Sequence, residues 1–328
     1  MKASVRYWFI LLFILLIAEV IVVGPDLLGE READDAKPFS EANKAATQKM
    51  EKVHLIETTD GAREWDLRAE TAITYQNTED WLIEGVNATF FGRDELNTVV
   101  TGERGIVKVG SKDVEISGDV KVVSSNGYEF RSQRVNYNSR ERVLLSDTPV
   151  TMQSESKTQK KKTPTQETNL TGGGMRLDLN SGIIQLHTPV KGRMQMANEL
   201  PAELSSETAE FSAKSYMATF LGQVLIQYKA LQVRGPKAVF NYDKEKQDLR
   251  SIDFLGGVKV SDVDKWARAQ HLRIFTDEDR LVLRGQPKVV QDNDELRGDE
   301  IIFLDGGNEV RVEKGRARIE EVQFKKVN

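Results

Sequence analysis

The stretch Gly118–Val150, GDVKVVSSNGYEFRSQRVNYNSRERVLLSDTPV, decides the fold. Val120 and Val122 flank the charged Lys121, the period-2 pattern of a strand with one wet face. Asn126-Gly127-Tyr128 then supplies a turn. Further on, Tyr137 is followed by the polar run Asn138 to Glu141, by Val143 and Leu145, and by Pro149 twelve positions after the tyrosine. A strand ending in a large apolar residue, a polar turn and a return strand form a β-hairpin. The proline lacks a ladder donor, so it suits a strand end or a bulge.

Outward from this stretch the same grammar recurs. Trp65, Leu67 and Ala69 alternate with Asp66, Arg68 and Glu70, and the pattern returns at Val224 and Ile226 and at Val258 and Val260. Phe275 is followed by Leu281, Leu283 and Pro287, and Leu177 by Ile183 and Pro189, each proline again twelve positions on. Tyr75 with Trp81 and Ile83, and Tyr242 with Leu249, are looser copies without the proline. A glycine leads into a strand at Gly85-Val86, Gly118-Asp119-Val120, Gly222-Gln223-Val224 and Gly257-Val258. No sustained helical period appears after residue 50. The chain reads as all-β, a sandwich, jelly roll or barrel of stacked, equivalent strand pairs.

Composition narrows the function. Among 328 residues, 39% are hydrophobic and 30% charged, which suits a chain with substantial buried cores. A net charge of −5 without a basic, aromatic-backed stripe argues against nucleic acid. With no cysteine, disulfides, thiol catalysis and cysteine-bound metals are excluded together. From Tyr7 to Val23 the chain is apolar on either side of Ala18 and Glu19, about the length of a membrane-spanning helix. Lys2 and Arg6 precede it and Asp26, Glu30, Glu32, Asp34 and Asp35 follow. The positive-inside rule places such an N-terminus in the cytoplasm. The rival, a cleaved signal peptide, lacks a small-x-small site around Val22-Val23-Gly24-Pro25. Glu19 either faces protein or water, or lies near the outer interface.

The expected organisation is a cytoplasmic tip and anchor over 1–24, a polar linker or short helix over 25–50, one β-region over 51–198 and a second over 199–328. Residues 153–169 lack large hydrophobics and carry Lys157, Lys160, Lys161 and Lys162. They read as a solvated loop, or as lysines that meet lipid phosphates. Catalytic signatures are missing. His54, His187 and His271 are scattered, and no metal, phosphate-loop or nucleophile-elbow spacing occurs. Gly172-Gly173-Gly174 reads as a turn or bulge. The acids Asp292, Asp294, Glu295, Asp299 and Glu300 read as an exposed strand face rather than a paired-carboxylate glycosidase site. Neither a cofactor nor a metal is expected.

The stretches WDLRAETAITY (Trp65 to Tyr75) and WLIEGVNATFF (Trp81 to Phe91), with Gly118–Val150 and residues 169–190, resemble the LptC family. From about Glu207 to Glu320, Ala209-Glu210-Phe211, Phe220-Leu221-Gly222-Gln223-Val224, Ala238-Val239-Phe240-Asn241-Tyr242 and Gly285-Gln286-Pro287-Lys288-Val289 resemble the LptA/OstA-like fold. The resemblance implies two consecutive segments of an elongated, V-shaped β-jelly roll behind an inner-membrane anchor. It implies a non-enzymatic carrier that takes lipopolysaccharide from an LptB, LptF and LptG transporter. It passes the lipid toward the outer membrane, through an LptA- or LptD-like jelly roll added by edge-strand pairing. On that reading Leu67, Val120, Val122, Phe130, Tyr137, Val143, Val224, Ile226, Phe240, Val258 and Ile274 line an apolar groove, and Ala317, Ile319 and Val322 belong to the docking edge. Carrying both halves on one chain departs from the family and leaves the need for a separate LptA open. The alternatives are an anchored signalling or scaffold β-sandwich without lipid transport, and a periplasmic hydrolase on a repetitive β-fold.

Overall fold

The computed structural model describes residues 46–59, 61–75, 79–93, 96–125, 127–154, 168–194, 201–212, 214–245, 249–276, 278, 280–292, 294–304 and 309–318. The apolar run 7–23 with Glu19, and the lysines Lys157, Lys160, Lys161 and Lys162, lie outside the described residues. Among the described residues there is no helix, and hence none long and apolar enough to cross a membrane.

Long strands come first: β1 (Ala46–Thr59), β2 (Ala62–Tyr75), β3 (Trp81–Phe91), β4 (Asn97–Lys108), β5 (Asp113–Ser124) and β6 (Tyr128–Asn138). Short ones follow: β7 (Val143–Ser146), β8 (Val150–Ser154), β9 (Thr168–Gly172), β10 (Gly174–Asp178), β11 (Ile183–His187), β12 (Val190–Met194), β13 (Ala202–Ser206) and β14 (Thr208–Ser212). Long strands return in β15 (Met217–Tyr228), β16 (Leu231–Tyr242), β17 (Leu249–Ser261) and β18 (Lys265–Phe275). The chain then continues through β19 (Arg280–Arg284), β20 (Lys288–Gln291), β21 (Asp294–Arg297) and β22 (Glu300–Leu304), and on to β23 (Glu309–Glu313) and β24 (Arg316–Arg318).

The pairings resolve these strands into two antiparallel sheets that share their long members. In sheet I the second half of β5 pairs the first half of β6, which pairs β8. The ladder then runs β8–β9–β12–β13–β15 and later β18–β20–β21–β24. In sheet II the other halves of the same strands continue as β6–β7–β10–β11–β14–β15, and later as β18–β19–β22–β23. A crease therefore crosses every pass of the chain. Long strands bend through it, and each short pair such as β7 and β8 is one pass broken at it.

The sequence marks the crease. Extra residues shift the register at Ser117/Val120, Leu221/Val224 and Leu255/Val258, where β5, β15 and β17 bulge. Gly118 and Asp119 there have φ of 81° and 40°, and Gly222 and Gln223 have 75° and 45°. Two successive left-handed residues are tolerable because the first is glycine. The broken passes put Pro149, Pro189 and Pro287 in their gaps, where no ladder donor is needed. This accounts for the twelve-residue interval: it is the distance from the last large residue of one pass, around the hairpin, to the crease of the next. At the first fork, Ser132 Oγ meets Ser146 Oγ at 2.8 Å and Thr148 Oγ1 at 2.7 Å, supplying polar partners where the ladder divides.

Two expected boundaries move. Residues 46–50 belong to β1, which pairs β2, so the linker yields its last residues to the sheet. Residues 153, 154, 168 and 169 are strand, because Gln153 pairs Asn169 and Ser154 pairs Thr168.

A methyl group at Gly222 would run into the carboxylate of Glu207 as well as hold a left-handed φ. Gly222→Ala is expected to cost roughly 1–3 kcal/mol, measured as a lowered denaturant midpoint. Adding Glu207→Ala should recover only the carboxylate's part of the collision, because the Glu207 Cβ itself lies 2.7 Å from the added methyl. An unchanged midpoint for Gly222→Ala would show that the crease does not depend on this conformation.

Candidate functional site

The region with functional potential is the space between the two sheets. One contiguous apolar cluster fills it from Val53 to Ile301. Ring contacts show that the sheets face each other across it. Phe90 of sheet I lies 4.6 Å from Tyr137 of sheet II, and Tyr128 of sheet I lies 6.0 Å from Phe211 of sheet II. Along sheet II the aromatic row continues from Phe211 to Phe220 at 6.0 Å and to Phe240 at 4.9 Å.

The residues expected to line an apolar groove fall here. Leu67, Val120, Val122, Phe130, Tyr137, Val143, Val224, Ile226, Phe240 and Val258 are all buried. Ile274 is only half-buried and packs against the cluster from its rim. Lys121 and Gln223 point to the opposite, wet face. Burial pushes the Tyr137 hydroxyl up to about 12, with the Glu64 carboxylate adding to the rise, and burial likewise raises Tyr242. In this conformation the interior is filled by its own side chains. Occupation by a guest therefore requires the sheets to part where the Phe90–Tyr137 and Tyr128–Phe211 contacts close them.

The final described segment divides between the two sheets. Val310 and Val312 belong to β23, which pairs only β22 among the described residues, whereas Ala317 belongs to β24, which pairs β21. Lys314, at φ 48°, and Gly315 carry the chain across the crease between them. Among the described residues this segment thus forms two edges, one for each sheet. Ile319 and Val322 lie outside the described residues.

Sequence reading missed a feature of the outer face. Glu70 lies over Gly85, Glu103 over Gly118, Glu207 over Gly222 and Gln270 over Gly285. The partners are fifteen positions apart each time, and this regular spacing of a long polar residue ahead of a glycine is the signal in the sequence that marks the crease. Of the acids read as an exposed strand face, three stand in separate ion pairs. Glu295 binds Lys288 and Arg297, Glu300 binds Arg284, and Asp299 meets Lys314 at 3.0 Å. His54 bonds Asp66 at 2.8 Å, and among the described residues no metal-binding group of His, Asp or Glu gathers.

With this geometry in place, comparison is informative. A family model described as lipopolysaccharide-assembly, LptC-related, matches residues 10–195. A second, described as LptA/(LptD N-terminal domain) LPS transport protein, matches residues 203–305. Among solved structures, LptH from Pseudomonas aeruginosa, the LptA homologous periplasmic component of a lipopolysaccharide transport device, is 17% identical, with 37% of this chain and 96% of that chain covered and a TM-score of 0.33. No curated protein matches the chain.

The closing aromatics set a measurable expectation. Phe240→Ala removes a fully buried ring and should cost roughly 3–5 kcal/mol in chemical denaturation. A cost under about 1 kcal/mol would mean that the aromatic row is not what holds the interior.

Proposed function

The chain belongs to the LptC-related family of lipopolysaccharide-assembly proteins, and from that premise we propose that it carries lipopolysaccharide through the space between its two sheets. The observation that carries the reading is the seam between the two family matches. Residues 10–195 and 203–305 correspond to different members of one transport system. Across that seam both ladders continue: β12 pairs β13 in sheet I, and β11 pairs β14 in sheet II. Strand addition between a donor and a receiver module is here built into one polypeptide, so the apolar lining passes from one to the other without a gap.

The acyl chains replace aromatic and aliphatic contacts of similar polarity, which keeps the exchange nearly neutral in apolar burial. The sugars stay outside, on the polar faces that alternation supplies. Residues 7–23 form an inner-membrane anchor with the N-terminus in the cytoplasm. The transporter formed by LptB, LptF and LptG delivers the lipid. The two modules divide at about residues 198/199. The terminal edges, Ala317 with Ile319 and Val322 beyond it, receive the next β-jelly roll. Nothing in this role requires catalysis.

A photoreactive residue in place of Val122 or Ile226 should crosslink lipopolysaccharide in cells, and one in place of Lys121 or Gln223 should not. Equal labelling from both faces, or from neither, would sink the groove. Detection of a mature protein starting near residue 25 would overturn the anchor.

The edge is tested by the backbone. At Ala317 or at Arg318, proline removes an N–H that points away from β21, since successive donors in a strand face opposite sides. One of the two variants is expected to stay folded yet lose its jelly-roll partner in pull-downs. Unchanged capture by both would place the docking surface elsewhere.

A further inference from the structure

A cleft of about 970 Å³ opens on the outer side of the crease in the second half, bordered by Gln223, Arg234, Lys259, Arg268, Gln270 and Gln286. Three of these are cations in directly opposed register. Arg234 pairs Lys259 across β16 and β17, and Lys259 pairs Arg268 across β17 and β18. Paired residues share a face, so three exposed cations stand in a row spaced by about 4.8 Å per strand; Lys288 follows opposite Arg268, but it is paired with Glu295. Like charges directly opposite one another are destabilising. Among the described residues no carboxylate pairs with any of the three, and no acid lines the cleft. Glu207 is close by through Gln223, whose amide donates to it at 3.0 Å.

The first half holds the same opposition of like charges but relieves it with an acid. There Lys121 pairs Arg131 at the equivalent place, directly after the bulge in β5 as Lys259 comes directly after the bulge in β17. Glu129 neutralises both, at 2.8 Å from Lys121 and 3.1 Å from Arg131, and its carboxyl is held below the usual range by that contact. Two residues before Arg268, where Glu129 stands before Arg131, the second half has Trp266. The acid has been exchanged for an aromatic that stacks under Lys288, with its ring centroid 5.5 Å from the ammonium. The repulsion is left standing in one copy of a repeated arrangement and relieved in the other.

We propose that this cleft is a binding site for a multiply charged oxyanion of the phosphate class, held by Arg234, Lys259 and Arg268 with amide donors from Gln270 and Gln286. Arginine matches phosphate oxygens in pairs, and a row about 10 Å long suits two linked phosphates better than one. The phosphate belongs either to the sugar of the carried lipid, in which case the site deepens the transport reading, or to a free diphosphate.

The test titrates inorganic diphosphate into the full chain in uncharged detergent at low salt, following heat of binding and thermal midpoint. The wild type should bind and gain stability, and affinity should fall as salt rises. Lys259→Gln and Arg268→Gln should each weaken binding by roughly tenfold or more. Lys121→Gln, in the neutralised copy, should leave it unchanged. Trp266→Glu restores the missing acid and should abolish binding while raising the midpoint of the anion-free protein. Absence of diphosphate binding by the wild type, or wild-type binding by both Lys259→Gln and Trp266→Glu, overturns the site. Competition by intact but not phosphatase-treated lipopolysaccharide assigns the phosphate to the lipid; competition by neither assigns it to the free anion. Because diphosphate binding needs no lipid in the interior, its failure leaves the crosslinks from Val122 and Ile226 to judge the groove separately.

Discussion

A β-strand that must serve two facing sheets has to change direction part-way without leaving backbone groups unpaired. Here that requirement falls on every pass of the chain at the same line. The fold meets it with an inserted residue in β5, β15 and β17 and with an open break in passes such as β7–β8 and β19–β20. A bulge keeps the ladder on both sides and turns the strand locally. A break lets proline into a sheet that otherwise excludes it. The interior, the edges and the outer cleft all take their positions from this crease.

Its consequence for the interior is that apolar residues from both sheets converge. Away from the crease, where shared strands join them, sheets I and II meet through side chains, including the ring pairs Phe90–Tyr137 and Tyr128–Phe211. Side-chain contacts of this kind can be exchanged for contacts with another apolar body, whereas the ladder bonds along each sheet cannot. The architecture is therefore stiff along the sheets and separable between them, which is the mechanical property that the proposed passage of a lipid needs.

The same arrangement handles edges economically. Continuation of both ladders from β11 and β12 into β14 and β13 means that the junction of the two family matches exposes no free strand in either sheet. Among the described residues, edges fall on strands such as β23 and β24, and Arg316 within β24 adds charge there, a composition that discourages indiscriminate pairing. Charge is distributed with similar care on the outer face of the first half, where Glu129 bridges Lys121 and Arg131. The unrelieved row Arg234–Lys259–Arg268 stands out against that background.

Alternation in the sequence was enough to establish strands, hairpins and their inward residues, because a period of two is local and survives in any sheet. Val120, Val122, Val224 and Ile226 face inward as the pattern demands, and the glycine-led starts at Gly118 and Gly222 are the bulges themselves. Resemblance in the strand patterns likewise pointed to both families, whose models match residues 10–195 and 203–305. The tertiary structure alone decided that each pass divides between two sheets. Bulged strands keep one parity inside, as with Ile116 and Val120, while unbulged neighbours change it, as Ser132 gives way to Val135. A one-dimensional pattern contains that slip but not its cause, which is the corner that neighbouring strands take with different numbers of residues. Opposed cations were equally invisible, since Arg234, Lys259 and Arg268 become neighbours only through register. Register is set by turns and bulges acting together over three strands, and no local window of sequence spans them.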